Sequence, residues 1–287
     1  MLNYSITEGQ DQKLLRDFLR QDVGLSRSMV TRLKYDGGQI LVNQKEVGVR
    51  TRLKAGDRVQ LIFPKEERSP ALIPAEMDLD IVYEDEFLII LNKQAGTSVV
   101  PSVTNQSKTI ANGLIHYYDQ QGLDYTVHIV TRLDRDTSGL MLIAKQQFMH
   151  SFFRNISIER RYQAVVQGKL RPKKGTIDAP IGRKPGSIIS RIVTDEGKPS
   201  ITHYEVIGAV GQNSIVEIEL ETGRTHQIRV HFAHLGCPLL GDSLYGGQVD
   251  RIERQALHCV ELSFTHPMTK EKLTFQSEWP ADLKRLE

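Results

Sequence analysis

The residues best equipped for chemistry lie in Val130-Thr131-Arg132-Leu133-Asp134-Arg135-Asp136-Thr137-Ser138-Gly139-Leu140, where two arginines and two aspartates fall within five positions. The charged stretch runs through Thr-Ser-Gly into the apolar run Leu140 to Ala144 and reads as a turn feeding a buried strand. A carboxylate presented beside guanidinium groups accepts charge-assisted hydrogen bonds and stays ionised at neutral pH, the state a carboxylate nucleophile needs. Arg132 and Asp134 share strand-like parity opposite to Leu133, so both can point into one cleft. Asp136 reads as a turn cap and Arg135 as a solvated charge, since ion pairs at turns are mostly structural.

Two further stretches carry candidate site residues. Val216, Ile218 and Leu220 alternate in a strand, Glu221 to Arg224 make a turn, and Thr225 is placed to cap a helix running to Leu235 before Gly236. Ile228, Phe232 and Leu235 form its packed stripe, and His226, Arg229 and Ala233 lie along another. An arginine within a mostly apolar helix needs an anion, because burying it unpaired costs several kcal/mol; Asp134 is the expected partner. His226, His231 and His234 invite a zinc reading, but no glutamate stands between suitably spaced histidines and no carboxylate or cysteine ligand accompanies them, so no metal is expected. Arg160 to Val166 reads as a strand with Tyr162, Ala164 and Val166 on one face. Tyrosine favours such half-buried positions, and any proton transfer by it would require a shifted pKa.

The string TRLDRDTSGLMLIAK resembles the signature of the RluA-type pseudouridine synthases, in which the aspartate after Arg-Leu is catalytic. The family commonly has histidine before the arginine; here it is Thr131. Asn92-Lys93-Gln94-Ala95-Gly96 resembles the family's Asn-Lys-Pro-Ala-Gly, with Gln94 in place of proline, and Val99-Val100-Pro101 stands where valine-histidine-proline is common. Lys93 and Gly96 would then line the entrance to the site. GRTHQIRVHFAHLG resembles the third family motif, whose second arginine, Arg229 here, pairs with the aspartate. The resemblance implies that Asp134 is the nucleophile on a flipped uridine, that Tyr162 and Ile228 sandwich its ring, and that Arg132 fills the vacated stack or holds the nucleotide. It implies no cofactor, consistent with the lack of a GxGxxG or P-loop motif. The substrate would be structured RNA, large-subunit ribosomal RNA first and transfer RNA as the alternative. A different class of reading is an RNA-binding or ribosome-assembly factor that has lost activity, for which Thr131, Gln94 and Val100 are the support.

These residues must be positioned by an α+β fold: a large mixed, mostly antiparallel sheet with flanking helices over residues 79 to 287, and a small α+β unit over 1 to 65. Leu79 to Val82 and Phe87 to Leu91 predict a hairpin, Thr109 to Tyr117 a helix, and Phe148, Phe152 and Ile156 a core-facing helix. In the small unit, Leu14, Leu15, Phe18 and Leu19 mark one amphipathic helix, and Ser26 caps a second with Met29, Val30 and Leu33 inward and Arg27, Arg32 and Lys34 outward. Gln39 to Val42 is a strand, and Val59, Leu61 and Phe63 alternate inward in another. This unit resembles the RNA-binding domain of ribosomal protein S-four, and the resemblance makes Arg27, Arg32 and Lys34 phosphate contacts. Residues 66 to 78, proline-bearing and of mixed charge, read as the linker.

Net charge is divided along the chain. Residues 1 to 65 carry 12 Lys and Arg against 7 Asp and Glu, a net of +5, while the remainder carries 25 against 28, a net of −3. A basic surplus at one end suits a module meeting a phosphate backbone. No apolar run approaches a membrane span and no signal-peptide pattern opens the chain, so a cytoplasmic monomer with RNA as its partner is expected. Cys237 and Cys259, too few for a disulfide scaffold, read as buried thiols.

Overall fold

The computed structural model describes residues 1–102 and 107–286. Its first part opens with a strand that sequence periodicity did not single out, β1 (Leu2–Ser5), paired antiparallel with the later β4 (Arg58–Ile62). Between them come α1 (Leu15–Asp17), which continues as a wider turn over Phe18–Asp22, then α2 (Arg27–Tyr35), β2 (Gln39–Val42) and β3 (Lys45–Glu46). The sheet order is β1-β4-β2-β3. Ser26 caps α2 by accepting the Met29 N–H at 3.2 Å. Leu15, Phe18, Leu19, Met29 and Leu33 are buried beneath it, as their helical spacing predicts.

The segment beyond Pro64 has no helix or strand up to β5 (Ile81–Glu84), yet it is not a free tether. Glu66 accepts the Gln147 N–H at 2.7 Å and pairs with His128 at 2.5 Å, and Arg68 donates to the carbonyls of Tyr125 and Leu123 at 2.7 and 2.8 Å. Phe63 stacks on Phe148 with centroids 4.0 Å apart. Buried side chains from both parts of the chain consequently form one apolar cluster. Arg32 departs from its expected outward placement: it is half-buried and its charge acts on Glu66. Burial opposes ionisation of Glu66, but the His128 hydrogen bond, the Gln147 N–H and the charges of His128 and Arg32 prevail and lower its pKa.

The larger part contains β6 (Leu88–Lys93), α3 (Ile110–Gln120), β7 (His128–Ile129), β8 (Ser138–Ala144), α4 (Gln147–Phe152), β9 (Ile158–Val166) and β10 (Lys174–Asp178). There follow β11 (Ile181–Arg183), β12 (Arg191–Val193), β13 (Ile201–Val210), β14 (Asn213–Leu220), α5 (Gln227–His234), β15 (Leu257–Thr265), β16 (Lys272–Gln276) and α6 (Ala281–Lys284). Among the described residues ten strands form one sheet, ordered β10-β13-β14-β9-β15-β8-β6-β5, with β16 on β15 and β7 on β8. Its pairings are antiparallel except β15 with β8. All seven residues of β8 are buried, so its sequence is a continuous apolar run, whereas β14 alternates buried and half-buried because one face is more open. Ile156 falls outside the helix predicted from Phe148 and Phe152, since α4 tightens into a single turn over Phe153–Asn155 and the chain then extends into β9.

The parallel pair brings the Asp134 loop to the sheet centre. Gly139 lies opposite Cys259 at φ +112°, and a Cβ there would sit 2.4 Å from the Cys259 carbonyl oxygen. Only glycine allows the strands this approach.

Candidate active site

Thr131 fastens the front of the loop. It is buried, and its Oγ1 accepts the Leu142 N–H at 2.8 Å, so the residue standing where the family has histidine serves as a clasp on β8. Lys93 fastens the back. It is buried at the end of β6 and does not line the cleft entrance; its Nζ donates to the carbonyls of Gln94, Thr97 and Arg135 at 2.9, 3.0 and 2.8 Å. Burial pushes the Lys93 ammonium down to about 7, against the attraction of Asp136 and Asp134. Gly96 adopts φ +83° beside open space and has turn geometry only. Arg135 and Asp136 bond to each other at 2.9 and 3.0 Å, the local turn pair expected of them.

Between these clasps, Arg132 and Asp134 reach the same cleft, of about 430 Å³, but Leu133 lines it as well, because residues 131–137 form a loop and not the strand whose parity would separate them. Tyr162 from β9 and Ile228 and Arg229 from α5 complete its lining, with Arg160 and His226. Arg132 is exposed, and buried Arg160 Nε has no hydrogen-bond partner among the described residues, which leaves donors free at the cleft. Burial raises the Tyr162 phenol strongly, with the neighbouring Cys259 adding to it, so Tyr162 remains a neutral phenol throughout the physiological range.

Helix α5 begins at Gln227 with His226 in the cap position, one residue later than a Thr225 cap predicts. The Gln227 side chain closes the turn that precedes the helix: its Oε1 accepts the Arg224 N–H and the Thr222 hydroxyl, both at 2.9 Å. His226 is left outside the helix in the left-handed region, at φ 59°, a strained backbone for a non-glycine residue. At the other end α5 stops at His234 and leaves Leu235 40% exposed, so Leu235 does not join the packed stripe of Ile228 and Phe232. His231 Nε2–H donates to the Ala179 carbonyl at 2.9 Å and its Nδ1 accepts the Thr202 hydroxyl at 2.8 Å, which fixes α5 to the sheet and occupies both ring nitrogens.

Arg229 corrects one sequence expectation. Its Nη1 does donate to Asp134 Oδ2, at 3.2 Å, but its main partner is Asp242. Arg229 Nε and Nη2 donate to the two Asp242 oxygens at 2.7 and 2.8 Å, and Asp242 is 1% exposed. This fork is the bidentate geometry that offsets the desolvation of a buried pair. Burial works against the guanidinium, but Asp242 and Asp134 outweigh it and raise its pKa, so the charge is permanent. Asp242 lies in the tight turn Gly241 to Gly247, where a Cβ on Gly241 would fall 1.9 Å from the Arg254 carbonyl oxygen. The same turn supplies Tyr245, whose ring lies 5.0 Å from the Arg229 guanidinium carbon and whose hydroxyl is 2.8 Å from His226 Nδ1. Local sequence does not single out this turn; the demand of a buried arginine for a two-oxygen acceptor is the available signal for Asp242. Of the thiols, Cys259 is buried and pushed up to about 12 by burial, whereas Cys237 is only half-buried.

Arg27, Arg32 and Lys34 do not join this cleft. Arg27 and Lys34 are exposed on α2, Lys34 bonding the Tyr35 hydroxyl at 2.6 Å, and Arg32 faces Glu66 as described.

Comparison with known proteins identifies the family. The family model for RNA pseudouridylate synthase matches residues 87–234, which include Asp134, Tyr162 and Arg229. The uncharacterized RNA pseudouridine synthase YjbO of Bacillus subtilis (strain 168) is 47% identical over 92% of this chain and 95% of its own length. The ribosomal large subunit pseudouridine synthase D of Neisseria meningitidis serogroup A is 36% identical over 96% of this chain and 75% of its own. Among solved structures, human RNA pseudouridylate synthase domain containing 1 superposes with a TM-score of 0.58 at 26% identity, covering 73% of this chain and 87% of that one. An RNA pseudouridylate synthase signature spanning half the chain, and relatives that align along most of it, make this protein a member of the RNA pseudouridine synthase family, an isomerase.

Proposed function

We propose that the chain isomerises specific uridines of large-subunit ribosomal RNA, with Asp134 as nucleophile. The observation that carries this reading is the Asp134 carboxylate in the cleft, bonded to a permanently charged Arg229 and flanked by Tyr162 and Ile228. The reaction breaks the C1′–N1 bond of uridine, turns the base and joins C1′ to C5, after which the C5 proton is lost. Asp134 attacks the nucleotide as an anion, and Arg229 keeps it ionised and aimed. Tyr162 and Ile228 hold the ring as it turns, and neutral Tyr162 offers an O–H donor rather than a base. Arg132 enters the stack or grips the extruded nucleotide. The ribosomal assignment is supported by relatives named for the large subunit; transfer RNA is the alternative that the assay must separate.

Residues 1 to 65 form the RNA-binding domain in this proposal, 66 to 78 the connection and 79 to 287 the catalytic domain. The exposed Arg27 and Lys34 supply phosphate contacts, and Arg32 stands at the junction. The enzyme works as a cytoplasmic monomer; no helix among the described residues is long and apolar enough to cross a membrane. The test is pseudouridine formation in unmodified large-subunit ribosomal RNA and, separately, in unmodified transfer RNA. Product in the ribosomal pool is expected, and product confined to transfer RNA would overturn the substrate assignment.

A further inference from the structure

Tyr245 and His226 connect the catalytic loop to a surface hairpin. The hairpin is β11 and β12, whose connecting tip exposes Ile188 and Ile189 at 84% and 59%. Where the tip rejoins β12, the Arg191 N–H donates to the Tyr245 hydroxyl oxygen at 3.0 Å. That oxygen lies 2.8 Å from His226 Nδ1, and the two rings meet edge to face, 5.7 Å apart at 80°. On the far side of the imidazole, His226 Nε2 lies 3.8 Å from Asp134 Oδ2.

Two arguments fix where the imidazole proton resides. The Arg191 amide can only donate and takes up one lone pair of the tyrosine oxygen, and Nδ1, 2.8 Å away, is the acceptor within reach of the hydroxyl hydrogen. At Nε2, a lone pair facing a carboxylate oxygen would be repelled, whereas an N–H is attracted. Both place the hydrogen on Nε2. We propose that Tyr245 is a positioning residue that holds His226 in the Nε2–H tautomer, so that His226 turns the positive end of an N–H dipole toward Asp134 across 3.8 Å, beside the hydrogen bond from Arg229, and links the aspartate to the 181–193 hairpin. The strained backbone of His226 is what sets its ring between the two groups: a residue inside α5 would follow the helix and lose one of them. Tyr245 also covers the Arg229 guanidinium, so a single ring borders both groups that steady the aspartate.

This inference rests on Asp134 being the nucleophile, and the test separates the two. Tyr245→Phe keeps the ring over Arg229 and removes only the hydroxyl. His226→Asn suits the left-handed backbone and still accepts from Tyr245, but is too short to reach Asp134. Each variant is assayed for kcat and KM on unmodified ribosomal RNA, and the His226 ring nitrogens of wild type and Tyr245→Phe are observed by nitrogen-15 NMR. Wild type should show a protonated Nε2 and a bare, hydrogen-bonded Nδ1, and Tyr245→Phe a mixture of tautomers. Both variants should lose about tenfold or more in kcat, the scale of one displaced hydrogen bond at a charged group, with KM within about twofold. A wild-type Nδ1–H signal, or wild-type kcat in both variants, would overturn the proposal. An active Asp134→Asn control would instead overturn the nucleophile assignment, leaving the tautomer result to be judged by itself.

Discussion

Replacing Asp242 by asparagine tests how the site is held together. The side chain is 1% exposed and both its oxygens accept from Arg229, at 2.7 and 2.8 Å. Asparagine removes the charge and one acceptor and turns an NH₂ toward a guanidinium N–H. Breaking a buried ion pair from one side costs about 3–5 kcal/mol. For a domain of this size each kcal/mol lowers Tm by about 2–4 °C, so a fall of about 6–20 °C is expected. Asp134→Asn is the matched control: Asp134 is more exposed and receives only the single Nη1 donor at 3.2 Å, so its loss should cost about 1 kcal/mol and no more than about 4 °C. Asp242→Asn should also lose activity, because Arg229 is no longer anchored beside the loop. Calorimetry on the two variants reads the stability contrast, and pseudouridine formation in RNA reads the rate. A larger Tm loss in Asp134→Asn than in Asp242→Asn would refute the assignment of Asp242 as the main partner of Arg229.

Three other perturbations probe separate parts of the molecule. His258, bonded to Ser138 and Ser277, is held down to about 4 by burial, chiefly, and by the charge of Arg254. The unfolded chain therefore binds the extra proton first as pH falls, and stability should decline from about pH 6.5 to pH 4 by up to about 3 kcal/mol; acid titration of His258→Gln should lack that component, and an unchanged profile would contradict it. Arg27→Ala with Lys34→Ala should weaken RNA binding and reduce the slope of log K against log salt by about 1.4–1.8, two phosphate contacts' worth. An unaltered slope would remove α2 from the RNA surface. Gly139→Ala places a Cβ 2.4 Å from the Cys259 carbonyl at φ +112°, so a loss of about 3 kcal/mol or more is expected by denaturant titration; near-native stability would contradict the close strand approach.

Periodicity and capping chemistry carried most of the fold. Ser26 does begin α2, Thr109 caps α3, and the unbroken apolar run after Gly139 is a strand buried on both faces. The cleft was legible to the extent that its residues sit in local patterns: Arg132 and Asp134 in one charged turn, Ile228 and Arg229 on one helix, and Tyr162 on a strand. What escaped was set by packing at long sequence separation. β1 is short and carries the polar Asn3 and Ser5, and it exists because β4, more than fifty residues later, offers it an edge. Asp242 and Tyr245 belong to a glycine turn whose composition signals only tight backbone, and nothing local shows that its acid is buried against Arg229. Thr225 reads as a cap by composition, whereas His226 holds the N-cap position in the left-handed backbone and no side chain caps α5 there. Arg32 reads as an outward charge on α2 until the docked connecting segment brings Glu66 to it.

The central claim is that the Asp134 carboxylate performs the isomerisation. Its most direct test is pseudouridine formation in unmodified large-subunit ribosomal RNA by the intact protein and by Asp134→Asn, with RNA affinity measured alongside. The expected result is product from the intact protein, none from the variant, and equal affinity for both. Turnover by Asp134→Asn, or its absence from both proteins despite tight binding, would contradict the account.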